Sequence, residues 1–175
     1  MHVSSGRWLY GLFLSLITVV LWGILPIQLK QVLQAMDPVT VTWYRLASSG
    51  LILLAWLGAT RRLPSLRPLG RRGGALLALA IGGLTANYVL YLLGLERLSA
   101  GTTQLLIQTA PIMLLLASLL VFRESFGRVQ GVGLAVLLLG FGLFFNQRLG
   151  ELFGSLGSYT LGVLTVLAAA LVWVF

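Results

Sequence analysis

Six long apolar runs, separated by short loops rich in Arg, constrain this chain more than anything else in it. They are Trp8–Leu29, Pro38–Thr60, Gly74–Leu95, Gly101–Phe122, Gly127–Asn146 and Tyr159–Phe175. A hydrocarbon core about 30 Å thick is crossed by about 20 helical residues, and these runs have that length. Lipid-exposed backbone must satisfy its own hydrogen bonds, so each run is expected to be a helix. The alternating pattern of a barrel strand is absent. A soluble fold is excluded by composition. The 175 residues are 58% hydrophobic and 9% charged, where globular domains carry about a quarter charged residues. So thin a polar shell cannot cover a globular core of this size. The fold class is therefore all-α integral membrane.

The first run follows Arg7, as a signal peptide would. It is too long for a signal-peptide core and no small-residue cleavage site follows, so it reads as a retained span. The formal net charge of +8 sits in loops and not along a folded basic face, which argues against nucleic acid as a partner. With the N-terminus in the cytoplasm, Arg7, Arg61, Arg62, Arg67, Arg71, Arg72, Arg123 and Arg128 fall inside. Lys30, Arg97 and Arg148 fall outside. This count of eight against three follows the cytoplasmic bias of Lys and Arg. The expected location is a cell membrane, the inner one in a bacterium, with the lipid bilayer as the first partner.

The last run is short. Its 17 residues span roughly 25 Å at helical rise, and no basic residue anchors its far end. A terminal carboxylate in or near the apolar core is costly. The chain is expected to be a fragment or half of a longer protein.

Several chemistries are closed off. There is no Cys, hence no disulfide, thiolate or zinc–sulfur site. The one His is His2 and the one Asp is Asp37. Neither a base for a serine nucleophile nor a pair of buried aspartates is available. No phosphate-binding loop pattern occurs. No enzyme activity, cofactor or metal is expected.

Polar groups inside spans are costly and need an explanation. Arg45 lies seven residues past Pro38, about 10 Å into the bilayer. It shares a helix face with Thr42, Ser48 and Ser49. It either snorkels outward or is an interior cation that meets a substrate or its counter-ion. Asn87, Tyr91 and Gly94 form one stripe, with Tyr88 beside them. Gln104, Gln108 and Pro111 form another. Such stripes either join helices or line a cavity. Trp22 and Pro26 lie with Ser15 and Thr18 along one side of the first run, where Pro26 favours a bend. Gly127 and Gly131 form a GxxxG pair suited to close helix packing. No carboxylate lies deep in a span.

These segments together resemble a known family. Leu21-Trp22-Gly23-Ile24-Leu25-Pro26, the following Pro38 and the interior Arg45 resemble the start of an EamA domain. Ala100-Gly101-Thr102-Thr103-Gln104 through Pro111, with Phe122-Arg123-Glu124 after it, is similar to the family's fourth helix. Gln130 to Gly142 is similar to the fifth. The family belongs to the drug/metabolite transporter superfamily, whose members resemble ten-helix carriers of two inverted five-helix repeats. The resemblance implies that residues 8–146 are a first repeat. Residues 147–175 are then a loop and the start of a second, incomplete repeat, in which Ala168–Phe175 echoes Leu16–Gly23. It implies a secondary transporter of small metabolites or drugs working by alternating access. Helices one to four then line a path faced by Trp22, Arg45, Asn87, Tyr91, Gln104 and Gln108. A central cavity calls for the missing C-terminal half or a second copy, and the substrate is an unknown small molecule. The rival readings are a non-transporting membrane subunit, whose polar stripes serve helix association, and a channel.

Overall fold

Proline and aspartate set the first corner of the molecule. In the computed structural model, which describes residues 8–63, 70–121, 126–146 and 157–174, α1 (Trp8–Val32) ends in a tight turn over Leu33 to Met36. Asp37 then caps α2 (Pro38–Ala59). Its carboxylate accepts from the Val39 and Thr40 amides, each at 3.0 Å. Pro38 needs no partner at the first helical position. The Thr40 side chain first, then the Thr40 and Val39 amides, hold the exposed Asp37 carboxyl below its ordinary value of 3.8. α2 closes with Arg61 at φ 52°. The Arg62 amide reaches back to the Leu57 carbonyl at 2.9 Å and the Arg61 amide to Gly58 at 3.2 Å, a paired helix-end motif that a left-handed residue permits.

α3 (Gly70–Arg97) has 28 residues, about 42 Å at helical rise. That exceeds the hydrocarbon thickness, so Arg71, Arg72 and Arg97 at its ends reach past it. The helix starts before the expected Gly74, because the arginines of the second loop are wound into its first turn.

The fourth run is not one regular helix. It comprises α4 (Ala100–Ile107), capped by Ser99, and α5 (Thr109–Val121), with Gln108 between them in a turn. Pro111 explains the break. It has no N–H for the Ile107 carbonyl, and its ring crowds that carbonyl. The Gln108 amide bonds instead to Leu105, three residues back, at 3.0 Å.

α6 (Arg128–Phe145) starts at Gly127, whose amide donates to the Gln130 side chain at 2.7 Å. α7 (Ser158–Val174) is the last described element. Among the described residues all regular structure is helical, and the protein is an all-α membrane protein. Spanning length and apolarity combine in α1, α3, the α4–α5 pair and α6. α2 falls short of that combination because Arg45, Ser48 and Ser49 interrupt its apolar run. α7 is apolar but only 17 residues long. Arg7, Arg67, Phe122, Arg123, Glu124 and Arg148, which entered the charge count or the family resemblance, lie outside the described residues, as does Phe175.

Packing concentrates where α1 and α3 end and α2, α4 and α7 begin. Leu29, Val41, Leu92 and Leu95 form one buried cluster, with Met36 and Tyr91 against it. Leu98, Leu106, Val163 and Val166 form a second, with Phe145 and Tyr159 against it. The Tyr159 ring thus packs against this cluster, and its hydroxyl is buried without a hydrogen-bond partner among the described residues. Lys30 ties this end together, its ammonium donating to the carbonyls of Leu95, Glu96 and Leu98 at 2.7, 2.8 and 2.8 Å. The last carbonyls of α3 have no partner within the helix, and a cation there also suits the helix dipole.

Candidate functional site

α7 runs antiparallel along α3, and two glycines let it approach. A Cβ on Gly94 would collide with Val166 and stand 2.9 Å from the Gly162 carbonyl. One on Gly162 would stand 2.8 Å from Leu98 Cγ. Small residues at a crossing permit such contact of backbones in a membrane. Two turns along α3, the buried Asn87 Nδ2 donates to the Ala169 carbonyl at 2.7 Å. Asn87 is thus turned toward α7 and joins helices.

Most hydroxyls of the expected stripes bond within their own helix. Ser15 donates to Gly11, Thr18 to Leu14 and Thr42 to Pro38 at 2.8–2.9 Å. Ser48 donates to the Arg45 carbonyl at 3.2 Å. These donors are used locally.

Arg45 is different. It is half-buried, and its guanidinium carbon lies 4.8 Å from the centre of the Tyr88 ring. A partly desolvated cation–π contact is worth about 0.5–2 kcal/mol, while a central Arg costs about 2.5–3.5 kcal/mol to insert. The stack therefore offsets only part of the burden. Among the described residues Arg45 makes no ion pair and no hydrogen bond through its side chain. One turn on from Tyr88, the Tyr91 hydroxyl donates to Gln104 Oε1 of α4 at 3.3 Å. Arg45, Tyr88, Tyr91 and Gln104, on α2, α3 and α4, form a part-buried polar group in which the Arg45 guanidinium and the Gln104 NH2 donate to nothing among the described residues.

The other expected residues lie elsewhere. Trp22 is 61% exposed and joins no partner in this group. Gln108 is exposed at the break. Pro26 is buried inside α1, and Pro111 is exposed in the first turn of α5. Gly127 caps α6 and a Cβ on Gly131 would meet only Phe126, so no neighbouring helix packs on that pair. The sequence places Tyr88 only beside the Asn87–Tyr91 stripe and Lys30 only among the outer loop charges, without the contacts they make, and carries no signal for Gly162.

A model of the EamA-like transporter family matches residues 9–146. The chain belongs to that family. The matched region contains α1 to α6 and the whole Arg45–Gln104 group. Over 165 residues the chain is 40% identical to an Escherichia coli protein called the uncharacterized inner membrane transporter YhbE. The alignment covers 94% of this chain and 51% of that one. A Haemophilus influenzae protein called an uncharacterized transporter is 37% identical over 95% of this chain and 54% of its own length. A Synechocystis transporter, sll0355, is 34% identical over 70% of this chain and 36% of its own. No solved structure matches. The chain thus spans about half the length of the curated relatives it matches most fully. EamA-like proteins are transporters and not enzymes.

Proposed function

We propose that this chain is the first repeat of a secondary transporter that moves small metabolites or drugs by alternating access. Residues 8–146 form that repeat. Residues 147–175 lead into a second, supplied by further chain or by another copy. The N-terminus lies in the cytoplasm and the membrane is a cell membrane, the bacterial inner one, in keeping with the name of the E. coli relative. The observation that carries the reading is the interior Arg45 guanidinium, stacked on Tyr88 and lacking a counter-charge among the described residues. Family membership supports it. An interior ion is costly and marks a substrate path by default.

The non-transporting alternative has two interhelical bonds in its favour, Asn87–Ala169 between α3 and α7 and Tyr91–Gln104 between α3 and α4, which give both stripes a role in helix association. The Arg45 guanidinium has no such hydrogen bond among the described residues.

The test compares cells expressing the chain with cells expressing Arg45→Ala at equal membrane abundance. Small molecules inside and outside the cells are profiled. At least one inside-to-outside ratio is expected to move with expression and to return with the variant. A profile unchanged by expression, or one unaffected by loss of Arg45, would count against the reading.

A further inference from the structure

We propose that Arg45, backed by Tyr88, binds a carboxylate group of the transported molecule. The inference rests on the transporter reading and adds the chemical class of its substrate.

The case begins with where interior donors end. Asn87 gives its N–H to Ala169, and Lys30 gives its three to the end of α3. Thr42, Thr85 and Thr165 donate to carbonyls of their own helices. Against those satisfied donors, the Arg45 guanidinium and the Gln104 amide NH2 donate to nothing among the described residues; the buried Tyr159 hydroxyl also lacks a partner there, but it packs on the separate Leu98–Val166 cluster. Both belong to the same group, on α2 and α4, with α3 between them supplying Tyr88 and Tyr91.

Charge sets the sign of the ligand. Among the described residues the acids are Asp37 and Glu96. Asp37 is spent on the first turn of α2. Glu96 sits at the end of α3, 3.6 Å from Arg97. Neither faces Arg45, so a cationic ligand would meet a like charge and find no acid. An anion supplies the missing counter-charge. Where burial is partial and dielectric lower than water, that attraction is strengthened.

Geometry narrows the anion. The Arg45 guanidinium, 4.8 Å from the Tyr88 ring centre, is a planar fork of N–H donors with no hydrogen-bond partner among the described residues. Such a fork matches two carboxylate oxygens at once. The Gln104 NH2 is a neutral donor suited to another polar atom of the ligand. A lipid phosphate offers the same charge, so the experiment must separate the two sources.

The full chain is reconstituted in nanodiscs of phosphatidylcholine and treated with p-hydroxyphenylglyoxal, which modifies arginine. Mass spectrometry reads each arginine separately. Lactate, succinate and benzoate are added in turn, each against its neutral amide. A ligand at about nine times its dissociation constant leaves roughly a tenth of the site free. Arg45 labelling should then slow by roughly tenfold with at least one carboxylate and not with its amide. Arg61, Arg62, Arg71 and Arg72 should label at unchanged rates. Arg45→Lys keeps the charge and loses the fork, and the protection it gives the Tyr88–Tyr91 region from proteolysis or hydroxyl-radical labelling should weaken.

Four results overturn the proposal: Arg45 labelling that no carboxylate slows, equal protection by the amides, an Arg45 that never labels, or protection by phosphatidylglycerol in the nanodisc without any carboxylate. Labelling does not depend on transport. A chain that binds a carboxylate and moves nothing would keep this inference and refute the transporter reading. Transport that persists while carboxylates fail to protect would do the reverse.

Discussion

α6 and α7 are alike in sequence terms and opposite in the structure. Both are apolar, of 18 and 17 residues, and rich in small side chains. α6 buries none of its residues. α7 buries Gly162, Val163, Val166, Ala169 and Ala170 against α3, α4 and α5. Apolarity cannot be the cause, since lipid is as apolar as Leu and supplies no drive for helices to associate. The difference lies in steric fit and one polar bond. α7 sets Gly162 against Leu98 and the backbone near Gly94, and offers the Ala169 carbonyl to Asn87. The glycines of α6 face open space, and a Cβ on Gly133 or Gly140 would meet nothing within 4 Å. A glycine-rich face is a contact only when another helix is there to use it.

The sharpest way to break this comparison is to put the same methyl group at the α3–α7 crossing and on the glycine face of α6. Gly94→Ala is expected to cost about 1–3 kcal/mol through overpacking at the α3–α7 crossing. Gly133→Ala on α6 should stay within about 0.5 kcal/mol. Unfolding in mixed detergent micelles measures both, and equal costs would remove the distinction.

Next in size is Lys30→Met. Three carbonyls at the end of α3, beside the start of α7, lose their cationic donor. The expected loss is about 1–2 kcal/mol, because two of the three sites are part-buried and the third is exposed, so water can replace some of the bonding. No loss would mean that α7 holds this end unaided.

Asn87→Leu tests the polar half of the α3–α7 contact. Interhelical hydrogen bonds in lipid average about 0.6 kcal/mol, with a maximum near 1.7. A cost in that range, smaller than that of Gly94→Ala, would rank steric fit above the bond. The reverse order would invert the account given above.

The smallest effect concerns Asp37. Its carboxyl titrates lower in the folded chain than in an unfolded one, so its contribution is full above the usual carboxylate value and is lost as pH falls through the lowered one. Melting followed downward from neutral pH should show a decline in the acid range that Asp37→Asn flattens. An unchanged profile in the variant would assign the decline to other groups.

Much of the fold is legible in the sequence because hydrocarbon imposes a length. Apolar runs of about 20 residues predict helices, and a helix occupies each run. The break at Gln108 has a local signal in Pro111, but a run read only for apolarity passes over it. Arg45 stands out because charge in an apolar run is rare. Its partner Tyr88 does not, since pairing depends on how two helices are rotated against each other. The same holds for Gly94 and Gly162, which belong to different helices and form no GxxxG spacing. Gly127 and Gly131 do form one, yet have no facing helix. Trp22 is ambiguous in the sequence for a chemical reason: indole is apolar enough for lipid and polar enough for a path, so its position in a run does not choose between them.

The Asn87–Ala169 bond also has a consequence in time. The two residues are 82 positions apart. At a synthesis rate of about 5–20 residues per second, roughly 4–16 s pass between the emergence of one and the other. Through that interval α3 must enter the bilayer with its Asn87 amide lacking the native acceptor, and with the glycine face around Gly94 uncovered. The apolar residues of α3 must therefore suffice for insertion by themselves. The crossing with α7 is a late event in biogenesis, and a ribosome halted before α7 would leave an inserted but unlatched α3.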